Sequence, residues 1–280
     1  MRVKSRKWGY KVFITLFSFG ILAFFLLPLL WLLTAPFDTK ATLRVSLPST
    51  FTLNNFRAIF ANTFAVRALF VNSIFIAGGT MLGVALFATL AAYAISRLRL
   101  RGRDILAYLL VLFSSVVQGT AAMVPIFLLL YHLKLVDSHL GVIFVLVGGL
   151  LPTGIFLMRD FVESVPRSYE ESALVSGARP SQVLRHVVIP VLRPGIMVLA
   201  VWAFVQAWGD FLISLIVIRS PAKMPAPIAI YSFYTEGGTP VLTLVSAYAL
   251  IYALPVAGLY LFVNWRFGFR FFGGIKGSGR

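Results

Sequence analysis

The chain has 280 residues, of which 59% are hydrophobic and 12% charged, and its mean hydropathy is +0.91. Soluble domains carry about 25% charged residues, so a water-facing surface over the whole chain is excluded. The net charge of +16 comes from residues that flank apolar runs, where Lys and Arg report membrane orientation and attraction to anionic headgroups. Nucleic-acid binding is not expected, because no basic tract interleaves with exposed aromatics.

The chain opens with a basic segment, 1–11, followed by an apolar run over 12–33. A membrane-spanning helix needs about 20 residues, whereas a signal-peptide core has about 7–15. No A-x-A cleavage site follows, so the run reads as a first transmembrane helix. Further spans are predicted over 69–95, 105–131, 140–158, 195–218 and 242–263, with Gln118, Gly119 and Pro125 interrupting the third. Between the first two, Phe56, Ile59, Phe60 and Phe64 form an apolar stripe at helical spacing. It reads either as a short helix on the membrane interface or as packing against the protein's own helices. Gly79 and Gly83 fit a close helix crossing.

Of the 25 Lys and Arg, 18 fall in segments 1–11, 96–104, 159–193 and 264–280, and 7 in the intervening segments. The positive-inside rule then places both termini in the cytoplasm. The fold class is an all-α membrane protein: a six-helix domain over 12–263 with a cytoplasmic loop 159–193, an N-terminal segment 1–11 and a glycine-rich cytoplasmic tail 264–280. Cysteine is absent, which removes disulfides and thiolate metal sites. His132, His139 and His186 lack metal-site spacing and read as loop histidines.

The 159–193 loop carries its own pattern. Ser168 and Glu171 fit a capping box, and the helix is expected to continue through Ser172, Ala173, Leu174 and Val175. Gly177 falls where a left-handed C′ residue is wanted. Pro180 suits the first position of a second helix, with Val183, Leu184, Val187 and Val188 as its apolar stripe and Pro190 as its end.

Glu171-Ser-Ala173, Gly177 and Val187-Val-Ile189-Pro190 resemble the EAA motif, EAA-x3-G-x9-I-x-L-P, of the permease subunits of binding-protein-dependent ABC importers. Ser172, Val187 and Ile189 depart modestly from the pattern. Ala92–Arg97, Pro152–Phe161 and Val165-Pro166 are similar to the carbohydrate branch of that family, the maltose importer type. The resemblance implies a type I ABC importer permease fold in a bacterial or archaeal inner membrane. It implies a coupling helix that docks on a cytoplasmic ATPase through Glu170, Glu171, Ser172, Ala173, Gly177, Ala178, Val187, Ile189 and Pro190. The implied partners are a second permease, two ATPase subunits and an extracytoplasmic solute-binding protein.

The chain has no G-x4-G-K-[ST] loop and no carboxylate cluster for Mg²⁺. No cofactor is expected on it, and ATP and Mg belong to the partner subunits. Asp210 is the only acid within a predicted span, and such acids face protein or water. Trp202, Gln206 and Asp210 recur at spacings of four, placing them near one helix face that could meet a sugar. Alternatively, Asp210 caps a helix break. Asn72 and Gln118 are further candidates for the solute path. Pro221–Pro227 and Tyr231–Pro240 form the loop before the last span, and by the resemblance it could meet a solute-binding protein. A stand-alone secondary transporter is the rival reading, but it would be expected to show internal repeats and paired ionisable groups.

Overall fold

The computed structural model describes residues 2–97, 102, 105, 109, 112 and 122–267. Among these the chain is helical, and its β pairing is limited to two isolated bridges, Asp38–Phe51 and Tyr234–Pro240. The main helices are α1 (Arg2–Thr34), α2 (Asn54–Ala61), α3 (Thr63–Arg97), α4 (Met123–His132), α5 (His139–Ser164), α6 (Arg167–Val175), α7 (Pro180–Trp208), α8 (Leu212–Val217) and α9 (Leu242–Phe267). Five described stretches are long and apolar enough to cross a membrane: Phe13–Phe37, Thr63–Arg97, His139–Ser164, Pro180–Trp208 and Leu242–Trp265. Within the expected third span, 105–131, Ile105, Leu109 and Leu112 are helical and α4 follows from Met123. Gln118, most of the arginine-rich 96–104 loop and the tail beyond residue 267 lie outside the described residues.

The chain divides into two compact units. One comprises residues 1–66 and 230–254. The stretch 13–37, which takes in most of its α1, is apolar, and none of its most apolar window is buried among the described residues. After α1, Asp38 organises the loop: its carboxylate accepts from the Ser49 hydroxyl at 2.7 Å and the Lys40 amide at 3.1 Å. These donors hold the carboxyl below its ordinary value. The Phe56 stripe packs inward in part: Ile59 is fully buried and the Phe56 ring lies 5.2 Å from Phe37, whereas Phe60 is exposed. α2 thus packs on its own unit through Phe56 and Ile59 and leaves Phe60 outward.

The other unit comprises residues 67–229 and 255–280. Its core joins α3, α5 and α7 through Val84, Ala88, Ala92, Val147, Met158 and Leu199. The glycine pair makes this crossing possible. A Cβ on Gly79 would sit 2.6 Å from Ile143 Cδ1, and one on Gly83 would sit 2.8 Å from Val147 Cγ2. Ile143 and Val147 are one turn apart on α5, so the two glycines form a groove for two successive side chains, as small residues do between membrane helices.

Two expectations are corrected. Pro190 does not end a helix: α7 runs from Pro180 to Trp208 through both Pro190 and Pro194. The turn before Pro190, Leu184–Val188, widens to π geometry. That widening changes the carbonyl register which the prolyl ring would otherwise strike. The fifth span is also not continuous to 218, because α7 stops at Trp208 and a separate helix, α8, follows from Leu212.

Candidate functional site

The segment joining α5 to α7 folds as helix, turn, helix. The capping box is not formed: α6 begins at Arg167 behind Pro166, which takes the N-cap position without a side-chain cap. Proline fixes φ near −65°, and Pro166, with ψ of 132°, is still extended. The helix therefore starts two residues earlier than the Ser-x-x-Glu pattern indicates, and Ser168 lies inside the first turn. The other end agrees with expectation. Gly177 has φ of +86°, its amide donates to Leu174 O at 3.0 Å, and the Ala178 amide donates to Ala173 O at 3.1 Å. This pair of bonds is a Schellman termination, which uses the left-handed residue to satisfy the last carbonyls. Pro180 occupies the first position of α7, and Gln182 Oε1 accepts from the Arg179 amide at 2.8 Å.

The motif residues divide into two sets. Ala173, Ala178 and Val187 pack against the buried cluster that includes Val183 and Val188. Glu171, Ser172 and Gly177 are exposed, and so are the apolar side chains of Tyr169, Leu174 and Val175, the last at 89%. Ile189 and Pro190 are half-buried at the start of the apolar part of α7. Glu170 differs from its neighbour. It is buried, and its Oε1 accepts from Arg97 Nε at 2.7 Å while Oε2 accepts from the Tyr93 hydroxyl at 2.9 Å.

The described candidates for the solute path, Asn72, Trp202, Gln206 and Asp210, do not converge on one site. Gln206 and Asp210 line one cleft of about 170 Å³, with Met123, Leu146, Leu150, Leu212 and Ile213 among its other walls. Trp202 packs instead against the α3–α5–α7 core. Asn72 is buried elsewhere, its amide donating to the carbonyls of Ala222 and Met224 at 3.0 and 2.9 Å. Asp210 caps the break between α7 and α8. Its carboxylate accepts from the amides of Ile213 and Ser214 at 3.3 and 2.9 Å and from the Ser214 hydroxyl at 2.9 Å.

A family model, binding-protein-dependent transport system inner membrane component, matches residues 85–266. The chain belongs to this family. Among its relatives, the galactooligosaccharides transport system permease protein GanQ of Bacillus subtilis is 30% identical over 260 residues, covering 90% of this chain and 92% of that protein. The trehalose transport system permease protein SugB of Mycobacterium tuberculosis is 32% identical over 218 residues, 76% of this chain and 78% of its own. A subunit of a bacterial ABC transporter involved in import of the acidic polysaccharide alginate shares the fold, with a TM-score of 0.78 at 22% identity, over 95% of this chain and 99% of that one.

This permease also carries a site that sequence reasoning missed. Asp137 lies in the turn between α4 and α5 with φ of +56°. Its Oδ1 accepts from the amides of Arg219 and Ser220, both at 2.9 Å. Its Oδ2 accepts from the Ser220 hydroxyl at 2.6 Å and from Lys223 Nζ at 3.0 Å. These donors, the Ser220 hydroxyl first, hold the carboxyl well below the usual carboxylate range. His139 Nε2 also lies 2.9 Å from Lys223 O, so this histidine is part of a joint and not a bare loop residue. Among the described residues no group of His, Asp and Glu forms a metal site.

Proposed function

We propose that this permease forms the translocation path of an ABC importer for a sugar or sugar-like solute, with α6 as its coupling helix. The observation that carries the reading is the exposed, Schellman-terminated α6. It presents Glu171, Leu174 and Val175 outward while Ala173 anchors it to the core. Apolar side chains exposed on a short charged segment mark an interaction surface. Closure of two ATPase subunits, which bind ATP and Mg, moves the docked α6, and the membrane helices rock between inward-open and outward-open states.

On this reading the chain has six spans, with both termini and the 159–193 segment in the cytoplasm. It pairs with a second permease and receives solute from an extracytoplasmic binding protein. A binding-protein partner is supported by an alginate transporter of the same fold, described in complex with an alginate pentasaccharide-bound periplasmic protein. The sugar class is supported by the galactooligosaccharide and trehalose permeases among the relatives. The Gln206–Asp210 cleft is the candidate solute contact, since Gln206 is exposed and both polar groups sit among apolar walls.

Purification from native membranes in mild detergent tests the proposal. Wild type brings an ATPase subunit and a second permease with it, and Glu171→Ala and Val175→Glu lose the ATPase. A wild-type chain that purifies without an ATPase and drives uptake in liposomes on an ion gradient alone is a secondary transporter.

A further inference from the structure

Glu170 sits beside the motif glutamate but points into the fold. Resting on the permease reading above, we infer that Tyr93, Arg97 and Glu170 form the rigid joint that delivers displacement of α6 to α3. Glu170 is thus a positioning residue inside the permease and not an ATPase contact.

α3, α5 and α6 meet at this joint. Arg97 is the last described residue of α3. Its Nε binds Glu170 in the first turn of α6 at 2.7 Å. Its Nη2 donates to the carbonyls of Val162 and Val165, at 3.1 and 2.7 Å, where α5 ends. Tyr93, one turn earlier on α3, holds the second carboxylate oxygen at 2.9 Å. A further strand of the link is Arg167 Nη2, which donates to Ser96 O at 3.3 Å. The Arg97 and Glu170 side chains are each only 11% exposed.

The chemistry suits transmission better than stability. A buried ion pair contributes little net stability against an apolar substitute, yet it fixes one geometry. Charge-assisted bonds to a planar guanidinium are directional, whereas apolar surfaces can slide. Ala173 meets the core through one methyl group, an apolar contact without the direction of a hydrogen bond. Without the Arg97–Glu170 pair, α6 could shift while α3 stayed in place. With it, a push on the exposed face of α6 reaches the end of α3 directly. From there it travels along a helix seated against α5 by Gly79 and Gly83. This is a physically continuous element, of the kind that carries energetic coupling between distant sites.

The chain has no cysteine, so two engineered ones are its only labelling sites, and it is labelled before the partner subunits are added. Spin labels at Ser168→Cys, the exposed start of α6, and Leu82→Cys, an exposed position on α3, are measured in the assembled complex with and without ATP and vanadate. With the joint intact, the distance distribution is narrow and unchanged by nucleotide. In Glu170→Gln and Arg97→Gln it broadens and shifts on nucleotide addition, while the ATPase still co-purifies. Tyr93→Phe removes one hydrogen bond and strands no charge, so it folds in any case and gives a smaller shift of the same sign.

A nucleotide-dependent distance in the parent pair overturns the inference, as does an unchanged distribution in Tyr93→Phe together with the Gln variants that fold. Loss of the ATPase from Glu170→Gln, alongside Glu171→Ala, makes Glu170 a docking residue and also overturns it. If the parent chain itself holds no ATPase, the permease reading fails and the joint falls with it. In every other failure the permease reading stands.

Discussion

Replacing Gly177 gives a graded test of the coupling turn. Its φ is +86°, and a Cβ placed there meets nothing within 4 Å. Inside the permease, a side chain at this position therefore costs backbone energy without any collision. The left-handed region costs an ordinary L-residue roughly 1–2 kcal/mol. Asn tolerates it better and a β-branched residue worse. The expected order of damage is Asn, then Ala, then Val. For Gly177→Ala, about 1–2 kcal/mol lowers the formed turn against its alternatives by roughly 5- to 30-fold. The bonds at stake are Gly177 N to Leu174 O and Ala178 N to Ala173 O, at 3.0 and 3.1 Å.

If the ATPase docks only on the formed turn, its apparent Kd rises by up to the same factor as the competent fraction falls. Titrating purified ATPase onto the detergent-solubilised permease measures this directly. Gly177→Ala binds weakly, Gly177→Asn binds close to wild type, and Gly177→Val binds most weakly. Asn and Val binding equally weakly would refute the backbone argument, because it would mean that a partner atom occupies the space at the Cα. Ala binding like wild type would show that the left-handed turn is not needed for docking.

Three further outcomes follow from the geometry. Gly83→Ala pushes a Cβ to 2.8 Å from Val147 Cγ2, against an ordinary carbon contact of about 3.5–4.0 Å. It should destabilise by about 1–3 kcal/mol, read as a lower thermal midpoint, whereas Gly78→Ala meets nothing and should not lower it; equal midpoints would defeat the crossing argument. Asn72→Ala strands the carbonyls of Ala222 and Met224, so tryptic cleavage after Lys223 should accelerate, and an unchanged rate would mean that Asn72 does not hold this segment. Asp137 has its carboxyl lowered in the fold, so its contribution is complete above the unfolded carboxylate value of about 3.9 and fades as pH falls below it. Thermal midpoints taken between about pH 6 and pH 3 should fall less in Asp137→Asn than in wild type, and parallel profiles would remove Asp137 from the account.

What could be read from the sequence was what neighbouring residues decide. Gly177 and Pro180 declare a helix stop and a helix start by their own backbone chemistry, and both stand where expected. The capping box failed because Pro166, two residues upstream of Ser168, sets the helix start by itself. Pro190 failed as a terminator because a widened turn before it absorbs the ring. Glu170 and Glu171 look alike in sequence, and the partners of Glu170 lie 73 and 77 residues away. One signal could have separated them: Glu170 shares a face with Ala173 at a spacing of three, and Ala173 packs inward, whereas Glu171 shares its face with exposed Leu174 and Val175.

Asp137 left no comparable signal, and its consequence reaches the cleft. A six-residue helix such as α8 is too short to hold itself together in isolation. It is fixed at both ends by acids that come from different places. Asp210 takes the first-turn amides of Ile213 and Ser214. At the other end the Asp137 amide donates to Val217 O at 2.9 Å, and its carboxylate holds the next amides, of Arg219 and Ser220. Leu212 and Ile213 on this helix form part of the wall facing Gln206. The shape of the candidate solute site therefore depends on a turn residue more than 70 positions earlier that does not line it. Changes at Asp137 should accordingly alter solute selection without removing any group that touches solute.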